Sequence, residues 1–155
     1  MLFRLLFSAF FFVVTATCVG ATAGEDRSAQ RARFPLAWEA AQHGPDAAWR
    51  ALAAGLESYP LYPYLQFAAL KQHIGDAKRE DVDKFLAAWP ATLPAQLLRE
   101  SFLEELARRN AWKDFLDLYN ARGEVEFSSE LRCAALQARL TLGPPLDFEK
   151  DVQPL

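Results

Sequence analysis

Cysteine, glycine and excess positive charge are all scarce in this sequence. Its 155 residues include two cysteines and seven glycines, and 17 basic side chains stand against 20 acidic ones. Because nucleic-acid binding needs a basic face, this balance argues against that class of partner. The glycines form no phosphate-binding loop, and no Gly-x-Ser-x-Gly nucleophile motif occurs. His43 and His73 are isolated, and no cysteine or carboxylate cluster has metal-ligand spacing, so we predict neither a metal site nor a cofactor.

Apolar and aromatic side chains, by contrast, are plentiful. Hydrophobic residues make up 52% of the chain and aromatic residues 13%. This content is enough to build a core, and it excludes an intrinsically disordered composition. The length is that of about one domain.

The first 23 residues differ in character from the rest. Arg4 provides a positive n-region, residues 5–14 an apolar h-region, and Ala21-Thr22-Ala23 an A-x-A cleavage motif. This order predicts a secretory signal peptide over residues 1–23, and the apolar run is too short to predict a membrane span. The domain we expect to fold after export therefore covers residues 24–155.

Export would change both the charge and the cysteine count. Loss of Arg4 leaves 16 basic against 20 acidic side chains, a net charge of −4. Cys18 is also lost, and the single remaining Cys133 indicates a missing partner or a free thiol in an oxidising compartment. A lipid anchor on Cys18 is a weaker alternative, because residues 14–17 lack the leucine and small-residue order expected before a lipidated cysteine.

The rest of the sequence predicts an all-α fold with no convincing strand. Apolar residues recur at helical spacing, and the predicted helices cover about residues 27–42, 46–58, 63–74, 78–89, 94–109, 111–120 and 129–142. Their short connections favour antiparallel helix pairs stacked as an α-solenoid, or an irregular bundle. Pro35 should kink or restart the first helix, and Gly75 is a candidate for a left-handed residue after a helix end.

A tyrosine–proline corner stands at the centre of this arrangement, formed by Tyr59, Pro60, Tyr62, Pro63 and Tyr64. Each proline fixes its own φ and pushes the preceding residue toward an extended conformation, so one helix should end near Ser58 and the next open at Pro60 or Pro63. We interpret the tyrosines as aromatic core at a helix junction, with a ligand-stacking patch as the alternative.

The four tryptophans could be core residues or sugar-stacking platforms. They are Trp38, Trp49, Trp89 and Trp112. Within leucine and alanine stripes, tryptophans more often belong to the core. Arg108 and Arg109 stand beside Glu104 and Glu105, which predicts a solvated face of mixed charge.

Several of these segments together resemble a known family. They are residues 59–65, Thr92-Leu93-Pro94, residues 105–109 followed by Trp112, and Cys133 with Ala138 and Gly143 after it. In this order they are similar to the N-terminal part of soluble lytic murein transglycosylases, over about residues 30–143. The tyrosine–proline corner is the most specific element of the resemblance.

The resemblance implies a location, a substrate and an architecture. Family members are periplasmic enzymes that cleave the glycan strands of peptidoglycan and leave 1,6-anhydromuramoyl ends. A U-shaped α-superhelix precedes their lysozyme-like catalytic domain, and this sequence matches only the opening helices. We therefore expect a truncated superhelical portion that is inactive alone. A free-standing periplasmic helical-repeat module that binds another protein is the alternative.

Two residues bear on these expectations. Glu100-Ser101 matches the Glu-Ser motif of the family's catalytic acid, but the segments that follow the acid are absent, so we interpret Glu100 as a solvated helix residue and assign no catalytic residue. Cys133 resembles one half of a family disulfide whose partner is missing here. We therefore expect a free thiol, an uncovered final helix face carrying Leu131, Ala134, Ala135 and Leu142, and dimerisation of the isolated chain through either.

Overall fold

Among the residues that the structure describes, the fold consists of seven α-helices and no strand. The computed structural model describes residues 23–121 and 127–143. Its helices are α1 (Ala23–His43), α2 (Asp46–Ala53), α3 (Tyr62–Gln72), α4 (Arg79–Ala88), α5 (Leu93–Arg108), α6 (Trp112–Asn120) and α7 (Ser129–Leu142). The all-α prediction is confirmed. Residues 1–22 of the predicted signal peptide, which include Cys18, and the residues after Gly143 lie outside the described ranges.

The helices pack in a solenoid-like order. Along the chain, α1 packs on α2, α4 on α5, α5 on α6 and α6 on α7. The odd-numbered helices also contact one another in sequence, α1 with α3, α3 with α5 and α5 with α7. Because each helix contacts chiefly neighbours one or two places away, the odd-numbered helices form a continuous row, as stacked helix pairs do.

Two hydrophobic cores lie along this row. The first joins α1, α2 and α3 through small and aromatic side chains, including Ala37, Ala41, Trp49 and Leu65. The second joins Phe67 of α3 to helices α4 to α7 and is centred on α5, whose Leu98 and Phe102 are almost completely buried. The spacing of these two residues at i and i+4 places both on one helical face.

The helix α2 ends earlier than its sequence predicts. It stops at Ala53 rather than near Ser58, and Gly55 follows with a left-handed φ of 82°. Glycine adopts this conformation without the steric penalty of a Cβ atom. Leu56 therefore lies outside the helix, in a turn, but its side chain is fully buried.

The prediction for Gly75 is wrong, and so is one of the two alternatives for Pro35. Helix α1 runs through Pro35 without restarting, while the kink stays a prediction. Pro35 and Arg31 both lie on the exposed side, where water can satisfy the carbonyl oxygen that the missing N–H leaves free. Gly75 has no positive φ. The left-handed residues in the described ranges are Gly55, Asn110 and Gly143, which follow the ends of α2, α5 and α7.

The final helix also differs from expectation. Ser128 caps α7, accepting a hydrogen bond from the Leu131 N–H at 3.3 Å. Leu131 and Ala135 are not uncovered, because they belong to the second core. Leu142 is exposed, as expected, and Leu140 is exposed beside it.

Candidate functional site

The tyrosine–proline corner forms a chain of tight turns between α2 and α3. The Tyr59 N–H donates to the Leu56 carbonyl at 2.8 Å, and the Tyr62 N–H donates to the Tyr59 carbonyl at 2.9 Å. Pro63 is buried in the first turn of α3, whereas Pro60 is exposed. Tyr59 and Tyr62 are half-buried against the first core, and Tyr64 is also half-buried. The corner thus joins two helices through packed rings.

Two polar side chains of α1 bind the end of α2 beside this corner. The buried Gln30 donates from Nε2 to the Gly55 carbonyl at 3.1 Å. Arg33 donates from Nη2 to the carbonyls of Leu52 at 3.0 Å and Ala54 at 2.7 Å. These contacts satisfy carbonyls that the early end of α2 leaves without helical partners. Sequence reasoning missed both residues, since their partners lie 19 to 25 positions away.

A groove of about 670 Å³ lies between α2, α3 and α4. We call it the α2–α4 groove, and its lining includes Asp46, Trp49, Arg50, Gln66, His73 and Lys84. Arg50 donates to Asp46 at 3.1 Å, and this hydrogen bond holds the pKa of the Asp46 carboxyl below its usual range. Asp46 is therefore ionised at neutral pH, and it does not suit the role of a general acid.

Several polar groups of the groove are hydrogen-bonded or ion-paired to other side chains of the protein. The Trp49 indole N–H donates to Asp46 at 3.2 Å, and the Trp89 indole N–H donates to the Gln66 side-chain oxygen at 2.8 Å. Lys84 lies 4.0 Å from the Asp81 carboxylate. Trp49 is buried, as predicted for a core tryptophan, and so is Trp112, while Trp38 and Trp89 are half-buried.

The burial of Glu105 contradicts the prediction of a solvated face of mixed charge on α5. Glu105 is only 7% exposed, and its carboxylate accepts hydrogen bonds from Arg108 Nε at 2.7 Å and Arg109 Nε at 2.6 Å. These two guanidinium groups lower the Glu105 pKa to about 2. Arg109 also donates to the Ile74 carbonyl at 2.7 Å, so the ion cluster joins α5 to the loop after α3. Glu105 is a structural anion rather than a proton donor.

Glu100 and Cys133 occupy separate places in the fold. Glu100 is half-buried on α5, where the sequence predicts a solvated residue. Cys133 is a free, exposed cysteine on α7. Nothing in the described part of the chain supports the dimer that we expect through it.

Neither a metal-binding cluster nor a membrane-crossing helix is found within residues 23–121 and 127–143. Groups of three or more histidine, cysteine or acidic side chains that could hold an ion do not occur there. None of the helices in those ranges has the length and apolarity needed to cross a bilayer.

Comparison with known proteins gives relatives of one kind. The chain is 28% identical over 113 residues to a soluble lytic murein transglycosylase of Escherichia coli K12, and equally to that of strain O157:H7. It is 33% identical over 89 residues to the protein of that name from Salmonella typhimurium LT2. This chain is homologous to soluble lytic murein transglycosylases.

The homology covers most of this chain and little of the transglycosylases. The matches include 73% of the chain for the Escherichia coli proteins and 57% for the Salmonella protein. They span 17% and 13% of those relatives, respectively. No protein-family model matches the chain. No solved structure matches it at a significant level.

Proposed function

We propose that this chain forms a superhelical portion of a periplasmic lytic murein transglycosylase, and that it engages peptidoglycan glycan strands without cleaving them. The observation that carries the proposal is the homology to transglycosylases named for murein, across 57–73% of the chain. The stacked row of odd-numbered helices supports it, because such rows provide extended binding surfaces.

The carboxylates support the absence of cleavage by this chain alone. Glycan cleavage needs a protonated acid with a raised pKa near the scissile bond. Among the described residues, the buried carboxylate is Glu105, and its pKa is lowered to about 2. The half-buried Glu100 lies on the α5 helix, whose apolar face packs into the second core. We assign no catalytic role to either side chain.

Periplasmic location forms a separate part of the proposal. It is supported by the charged, apolar and A-x-A order of residues 1–23. Mass spectrometry of a periplasmic extract is expected to find an N-terminus at Gly24. A retained Met1, or an acylated Cys18, would overturn this part.

Incubation with isolated sacculi tests binding and cleavage together. We expect the purified protein to sediment with sacculi and to release no soluble muropeptides above a blank. A Glu100→Gln variant should behave identically. Muropeptide release that this substitution abolishes would make Glu100 catalytic and refute the proposal. Failure to sediment with sacculi would refute glycan engagement and favour a module that binds protein.

A further inference from the structure

A second concave surface lies where the C-terminal ends of α1 and α3 meet. It encloses about 360 Å³, at the small end of the roughly 300–1,000 Å³ typical of ligand sites. Its lining includes Trp38, Gln42, His43, Phe67, Lys71 and Gln72. We call this surface the Trp38 hollow. It lies on the row of odd-numbered helices and is separate from the α2–α4 groove.

Trp38 gives the hollow a fixed aromatic surface. Its indole is half-buried and stacks on Phe34, with ring centroids 6.2 Å apart and ring planes 19° apart. Phe34 in turn contacts the Tyr59 ring at 5.4 Å. The negative face of an indole attracts the slightly positive C–H groups on one face of a pyranose ring. An indole held in place by other rings loses little conformational freedom when such a ligand binds.

The two side-chain amides of the hollow are available, in contrast to several polar groups of the groove. The side-chain amides of Gln42 and Gln72 have no hydrogen-bond partner within the described part of the chain. In the groove, Trp49, Gln66 and Arg50 already hydrogen-bond to neighbouring side chains. A ligand in the hollow therefore displaces only water from these amides, whereas a ligand in the groove must break hydrogen bonds between protein side chains.

The charge of the hollow favours an anionic ligand. Lys71 is exposed and its ammonium lies 5.6 Å from the centroid of the Phe67 ring, a contact that leaves donor capacity for a carboxylate. No aspartate or glutamate is among the described residues that line the hollow. Glu39 is not a lining residue, and its carboxylate Oε1 lies 3.4 Å from Nδ1 of His43.

We propose that the Trp38 hollow binds one N-acetylated sugar of a peptide-free murein glycan strand, with the sugar ring on Trp38 and its lactyl carboxylate toward Lys71. The amides of Gln42 and Gln72 match the hydroxyl and acetamido groups of such a sugar, since each amide supplies both donors and an acceptor. This inference rests on the proposed function and adds a defined ligand and a defined site to it.

Titration with a peptide-free murein tetrasaccharide, followed by ¹H–¹⁵N NMR, tests the site directly. The four indole N–H signals can be assigned with single Trp→Phe variants. We expect the Trp38 signal to shift on binding and the Trp89 signal to stay in place, because the Trp89 N–H is bonded to Gln66 away from the hollow. Chitotetraose, which lacks the carboxylates, should bind about tenfold more weakly, as expected for losing one charge-assisted hydrogen bond.

Charge-reversal variants at two lysines test whether Lys71 is the cation that binds the carboxylate of the sugar. Lys71→Glu should weaken tetrasaccharide binding by about tenfold or more, and Lys71→Arg should restore most of it. Lys84→Glu makes the same charge change in the α2–α4 groove and should have no effect. Both lysines are exposed, so neither variant should disturb folding, which the same NMR spectra verify.

The outcomes separate this inference from the proposed function. An unmoved Trp38 signal, or equal affinity in the Lys71→Glu variant, would overturn the site. If the protein sediments with sacculi but does not bind the tetrasaccharide, the hollow is wrong and glycan engagement stands. If it binds neither, both proposals fail.

Discussion

Phe34 stacks on Trp38 one helical turn further along α1, and the same Phe34 ring contacts Tyr59 of the tyrosine–proline corner. This row of three rings connects the most distinctive segment of the sequence to the aromatic surface of the Trp38 hollow. The corner therefore has a structural consequence beyond joining two helices. It fixes the position of an indole that sequence patterns alone assign to the core.

Removing the middle ring should loosen this row. Phe34→Ala is expected to lower the free energy of unfolding by roughly 2 kcal/mol, less than the 3–5 kcal/mol typical of a fully buried phenylalanine because Phe34 is half-buried. Leu36→Ala on the same helix is the control, since Leu36 is 61% exposed and should change stability by about 0.5 kcal/mol or less. Urea unfolding measures both. Equal effects would show that the ring row carries no stability.

Substitution of Pro35 should stabilise the protein. A proline in a helix interior lowers the free energy of unfolding by about 3 kcal/mol relative to alanine. Proline also reduces the conformational entropy of the unfolded chain, which raises the free energy of unfolding by up to about 1 kcal/mol. Because the exposed Pro35 side chain loses little packing, Pro35→Ala should add about 1–2 kcal/mol. Pro94→Ala is the contrasting variant, since Pro94 is buried in the first turn of α5 and should not be improved by alanine. A Pro35→Ala variant with a lower melting temperature would contradict this account.

Cys133 should react in the folded protein. Its side chain is exposed on α7, so alkylation by iodoacetamide under native conditions should go to completion without denaturant. Intact-mass measurement before and after alkylation follows the reaction, and a Cys133→Ser variant shows any modification elsewhere. A thiol that reacts only after unfolding would place Cys133 in a contact outside those described.

The sequence predicted the elements of this fold better than its surfaces. The apolar repeat of residues 94–109 was sufficient to predict helix α5, because helical periodicity depends only on local spacing. The burial of Glu105 was not predictable in this way, since it depends on how Arg109 meets the Ile74 carbonyl across the fold. The Trp38 hollow likewise needs α1 and α3 to pack together.

Glu105 should make the stability of the fold depend on pH over a defined acidic range. Its pKa is lowered from 4.5 to about 2 in the folded protein, so the ionised carboxylate stabilises the fold above about pH 4.5, and this contribution is lost as the pH falls toward 2. Glu105→Gln removes the charge and leaves Arg108 and Arg109 without their carboxylate. The melting temperature of this variant should therefore lie below that of the unsubstituted protein at pH 7, and the difference should shrink between about pH 4.5 and pH 2. The adjacent, exposed Glu104→Gln should show little difference at any pH. A Glu105→Gln difference that stays constant down to pH 2 would mean that its effect comes from packing rather than from the ion cluster.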